Sequence, residues 1–118
     1  MSTNYYYRPL GAIEYNDDDH IGLSISTMFT FRALPEQGLV SYAAWRKKLL
    51  ASDVEIVNEY GQPIPKETFF QMVEDDAAAA ANVIYRNSDS YPAGAKIPPD
   101  VVRYRDEAGH MFDRRNIS

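Results

Sequence analysis

A chain of 118 residues, 45% hydrophobic and 25% charged, has the size and composition of one globular domain with enough apolar material for a core. It contains no cysteine, which excludes disulfides and thiolate metal centres. A net charge of −5 argues against direct nucleic-acid binding by bulk attraction to phosphates, and no apolar run approaches the ~20 residues needed to span a bilayer. Residues 1–118 are therefore read as a single domain. The start, MSTNYYYRPLG, lacks the basic head and apolar core of a secretory signal, so a cytoplasmic location is expected.

Residues 1–15 read as an extended N-terminal arm carrying Tyr5, Tyr6 and Tyr7, interrupted by Pro9 and Gly11, with a short strand over Ala12–Tyr15. Asn16–Asp19 is a polar turn. His20–Ser26 alternates, with Ile21, Leu23 and Ile25 on one face and Gly22, Ser24 and Ser26 on the other, which predicts a half-buried strand. The β-favouring run continues to Leu34, too far for one straight strand, so a tight turn near Ser24–Thr27 and a hairpin are expected. Pro35–Gly38 is a turn, and Ser41 stands where a helix N-cap belongs. Tyr42, Trp45 and Leu49 then share one helical face, with Arg46, Lys47 and Lys48 near the C-terminal end favoured by the helix dipole.

Asp53–Glu59 alternates as a strand, and Gly61 suits the turn that follows. Pro65 opens a second helix with Glu67 in its first turn, Phe69, Met72 and Val73 on its apolar side, and an alanine run that carries it to about Tyr85. Asn87–Asp100, rich in Pro, Gly and Ser, is a long loop bearing Tyr91. Val101–Arg105 and His110–Asp113 flank a DEAG turn and form a closing hairpin. The resulting order predicts an α+β domain: a mostly antiparallel sheet of about five strands with two helices packed on one face.

Two sets of residues carry chemistry. Asp18, Asp19 and His20, with the distant His110, could support acid–base work or hold a cation. Consecutive residues of an extended chain point to opposite sides, however, and two histidines are few for a metal centre, so no metal site is assigned. The cluster could act only if the first and last hairpins were neighbours and brought His20 to His110. The second set is an interface. Tyr5, Tyr6, Tyr7 and Tyr91 offer large amphipathic contact area, and Glu67, Glu74, Asp75 and Asp76 offer a negative helix face.

Four stretches carry a family resemblance: HIGLSIS, PEQGLVSYAAW, VEIVNEYGQPIPKETF and YRDEAGHMFDRRNIS. Together they resemble a group of small phage and prophage proteins. That group has a His-Ile-Gly-Lys-Ser-Ser-like strand, a downstream tryptophan, an Asp-Glu-Tyr-Gly turn and a closing hairpin. The resemblance spans Asp19–Ser118. Leu23 stands where the group has lysine, Asn58 where it has aspartate and Asp113 where it often has serine. The group carries no assigned activity, and the loss of its lysine weakens an enzymatic reading.

The resemblance implies a phage accessory protein that binds and inhibits a host protein in the host cytoplasm. Its sharpest form is an anti-defence, anti-CRISPR-like factor. Such a factor would use the acidic, tyrosine-containing surface to block a nucleic-acid-binding effector complex, without touching nucleic acid itself and without a cofactor. The alternative is a small metal- or His/Asp-dependent hydrolase, or a small-ligand-binding protein, built on His20, Asp18, Asp19 and His110. Open edges of a small sheet would also allow a homodimer.

Overall fold

The computed structural model describes residues 2–14, 19–25, 28–80, 89–90, 98, 100–106 and 108–115. In chain order the elements are β1 (Ser2–Pro9), β2 (His20–Ile25), β3 (Met28–Arg32), α1 (Tyr42–Leu49), β4 (Val54–Asn58), β5 (Pro63–Ile64), α2 (Lys66–Ala80), β6 (Asp89–Ser90), β7 (Arg103–Arg105) and β8 (Met111–Asp113). The strands form one sheet in the order β5-β4-β1-β2-β3-β8-β7-β6. Pairing is antiparallel except for β3 with β8 and β6 with β7, which run parallel. The α+β class is as expected, but the sheet is mixed and, among the described residues, has eight strands rather than about five.

Three strands account for the difference. The first is the segment expected to be a free arm: β1 lies near the centre of the sheet, between β2 and β4. Tyr5 and Tyr7 pack into the core and Tyr6 is buried on the opposite face, so the three tyrosines alternate as a strand should. Three identical amphipathic residues in a row conceal that alternation in the sequence. The second is β5, which returns along β4 after a turn held by Asn58, whose Oδ1 accepts from the Tyr60 and Gln62 amides at 3.0 Å each. The third is β6, which lies within the expected loop 87–100 and pairs with β7. The expected extension of α2 through 81–85 falls outside the described residues.

The hairpin of β2 and β3 is present, with Ile25 opposite Met28. Its facing differs from the simple alternation. The pairing of β1 with β2 shifts between Tyr5–Gly22 and Tyr6–His20, a bulge at Ile21. Ile21 is fully buried, while Leu23 is half-buried and Ile25 exposed. Gly22 faces the core beneath the Phe29 ring, 2.7 Å from where a Cβ would stand.

Both helices pack on one face of the sheet. Ser41 caps α1 by accepting from the Ala44 amide at 3.3 Å, and Tyr42, Trp45 and Leu49 are buried as their spacing predicts. The Trp45 indole N–H donates to the Arg32 carbonyl at 3.0 Å, pinning α1 over β3. From α2, Phe69, Phe70 and Val73 enter the same core. Phe69 meets Tyr5 and Phe29 edge-on, and Phe70 meets Tyr42 of α1. Beneath α1, Phe31, Phe112 and Tyr104 stack in register across β3, β8 and β7, with centroids 5.2 and 5.4 Å apart.

Candidate functional site

The first and last hairpins are neighbours through β3 and β8, as the histidine hypothesis required. The histidines nonetheless stay apart. The register of β2 with β3 places His20 level with Ala33, and that of β3 with β8 places His110 level with Phe29. Four residues of strand separate the two levels, about 13 Å.

They also occupy different faces. His20 is fully buried against the Tyr6 ring on the face away from the helices, and its Nε2 lies 2.8 Å from Asn4 Oδ1. His110 is buried on the helix side, its ring 4.0 Å from that of Tyr42 and edge-on to Phe31. Asp19 holds the Tyr7 hydroxyl, and burial together with that carboxylate pushes the Tyr7 phenol up to about 12. Asp18 lies outside the described residues. Among those described, no group of three or more His, Asp or Glu side chains could hold a metal ion.

Among the described residues, the space beside His110 is too small for a substrate. The crevice it shares with Met28, Phe29, Asp76, Ala77, Gly109 and Met111 is about 10 Å³, room for one water molecule. A larger groove of about 370 Å³ lies at the other end of the sheet, between Leu10, Val54, Ile56, Ile64 and Lys66. Neither histidine lines it.

The interface candidates separate in the same way. Tyr5, Tyr6 and Tyr7 belong to a central strand and are not a projecting arm. The Tyr5 hydroxyl reaches Met72 Sδ at 3.7 Å, and Lys48 Nζ lies 4.9 Å above the Tyr7 ring. Tyr91 lies outside the described residues.

The four acidic residues of α2 do share a region. Glu67, Glu74 and Asp75 are exposed, whereas Asp76 turns inward. Glu74 accepts from the Tyr42 hydroxyl at 3.1 Å, and Asp75 accepts from Gln71 at 2.9 Å. Burial and then the neighbouring Asp75 charge raise the Asp76 carboxyl above its ordinary range. For Tyr42, burial and the Glu74 carboxylate push the phenol up. The one cation of α2, Lys66, donates to the Ala51 carbonyl at 2.7 Å. The exposed Glu67, Glu74 and Asp75 therefore make the outer face of α2 negative, with Arg46 of α1 at its border, 5.2 Å above the Phe70 ring.

Asp106 escaped notice in the sequence, where it reads as one more turn residue. Its Oδ1 accepts from the Ala108 and His110 amides at 3.1 and 2.8 Å, closing the last turn. Its Oδ2 accepts from the Tyr42 amide at 2.7 Å, at the start of α1. The only trace in the sequence was an Asp at the first position of the DEAG turn, where an Asx turn would put it.

The chain matches no protein-family model, and no curated protein or solved structure is significantly similar to it. No helix among the described residues is long and apolar enough to cross a membrane.

Proposed function

We propose that this protein is a non-enzymatic binding protein of the phage or prophage accessory type, which inhibits a host protein by docking the outer face of α2 on a basic surface of its target. The observation that carries this reading is that face itself: Glu67, Glu74 and Asp75 all exposed, with the only cation of the helix tied to a backbone carbonyl at its first turn. A basic groove that normally receives phosphates would attract such a surface, which fits a nucleic-acid-binding effector as target class. The hydrolase alternative is the weaker reading, because His20 and His110 touch separate sets of residues on opposite faces of the sheet.

The test compares the wild-type chain with a variant carrying Glu67→Gln, Glu74→Gln and Asp75→Asn as baits for host proteins. The expected result is one stoichiometric partner, released by salt and lost from the triple variant, whose purified activity the wild-type chain blocks. A partner held equally by the triple variant, or no partner at all, would sink the proposal.

A further inference from the structure

Back to back with the aromatic row of Phe31, Phe112 and Tyr104 runs an ionic one. Arg32, Asp113 and Arg103 are in register across β3, β8 and β7, each one residue along from a member of the aromatic row. Their side chains therefore leave the sheet on the face away from the helices. Two residues further along β7, Arg105 stands on that same face, opposite Met111.

Arg115 folds back onto the row. Its amide and Nε donate to Asp113 Oδ1 at 2.8 and 3.1 Å, and its Nη2 donates to Oδ2 at 2.8 Å. Arg103 Nε lies 3.5 Å from the same Oδ2. Two guanidinium groups thus hold one carboxylate, and Arg32 and Arg105 stand at neighbouring register positions on the same face, on a chain whose net charge is −5.

Asp113 does not exhaust them. It is wholly buried, while the side chains of Arg103 and Arg115 remain 53% and 63% exposed. Each guanidinium has five N–H donors, and most of these point elsewhere. Among the described residues no carboxylate pairs with Arg32, and Arg105 Nε is buried with no hydrogen-bond acceptor. A buried donor of that kind costs stability unless an acceptor arrives.

We propose that this face of β3, β8 and β7 is an oxyanion site that takes a phosphate group. Arg103 and Arg105 hold the anion, with Arg115 at its rim. The two principal arginines are alternate residues of one strand, about 7 Å apart at the backbone, a spacing from which two forks close on one tetrahedral anion. A carboxylate ligand fits less well. Asp113 already fills that role, and the positive charge left after it exceeds what a monoanion neutralises. The chemistry recognised is that of inorganic phosphate or of a phosphomonoester on a small molecule.

The test follows the arginine Nε–Hε resonances of the full, isotope-labelled chain during titration at constant ionic strength. The probes are inorganic phosphate and glycerol phosphate, with chloride and glycerol as controls. Saturable shifts at Arg103 and Arg105 are expected. Binding should weaken at least tenfold in Arg103→Gln and in Arg105→Gln, and less in Arg105→Lys, which keeps the charge and loses the fork. It should be unchanged in Lys47→Gln, on the exposed side of α1. Tighter binding of glycerol phosphate would assign the site to a phosphomonoester, and tighter or equal binding of inorganic phosphate to the free ion. The proposal is overturned by an absence of saturable shifts in the wild type, by equal shifts with chloride, by a loss in Lys47→Gln matching that in Arg105→Gln, or by saturable binding of an oligonucleotide alone.

Discussion

Asp106 illustrates what a single buried carboxylate can organise. It accepts three backbone N–H groups from two parts of the chain 64 residues apart, closing the last hairpin and anchoring the start of α1. Asp106→Ala strands all three donors and should cost about 2–4 kcal/mol in urea unfolding; a loss under about 1 kcal/mol would show that the amides find other acceptors. Asp76 works in the opposite sense. Burial raises its folded carboxyl above the unfolded value, so ionisation costs stability as pH rises from the ordinary carboxylate range through the folded pKa. Asp76→Asn should therefore raise the melting midpoint at neutral pH, and the advantage should fade as pH falls below about 4, where the wild-type group is protonated in both states. A constant difference across that range would contradict it. Asp113 differs again: burial opposes its charge, but the Arg115 hydrogen bonds and the Arg115 and Arg103 charges prevail and lower its pKa. Its contribution is present above the ordinary carboxylate range and is lost as pH falls through the folded value.

Among the elements, the helices were the most legible in the sequence. Ser41, the spacing of Tyr42, Trp45 and Leu49, and the cations of the last turn all agree with one another, and α1 forms where they say. Trp45 is wholly buried, so Trp45→Ala should destabilise the fold by about 3–5 kcal/mol, read by chemical denaturation; a near wild-type midpoint would mean the ring is not packed. Strands were harder to read where a local irregularity or a uniform composition hid their period. The bulge at Ile21 moves Leu23 and Ile25 off the core face that simple alternation gives them. The value of Gly22 was invisible too, because its reason lies across the sheet. An added Cβ would collide with the Thr30 carbonyl oxygen and the Phe29 ring. Gly22→Ala should cost about 1–3 kcal/mol by thermal melting, whereas Gly61→Ala meets no atom and pays only for its positive φ; equal losses at the two would refute the steric account. The two-residue strands β5 and β6 offer too few residues for any period to show.

At the scale of the molecule, the sequence revealed the class and the hairpins but not the sheet order. Nothing local says that β8 slots in beside β3 in parallel, since that pairing depends on a stack of Phe31, Phe112 and Tyr104 drawn from distant segments. The same distance explains why the candidate chemistry was only half legible. The acidic side of α2 could be read from one helix, whereas the arginine row exists only once three strands are aligned. A chain ended at Arg105 would lose β8 from the middle of the sheet and should show no cooperative unfolding transition by circular dichroism; a sharp transition would mean that β1 to β4 and the helices suffice. This placement also bears on synthesis. Residues 28–32 emerge from the ribosome some eighty residues before their parallel partner at 111–113, so the bare flank of β3 must wait in solution for most of translation. At the ~5–20 residues per second typical of elongation, that is an interval of roughly 4–16 seconds, a window in which a chaperone or another nascent chain could pair with it first.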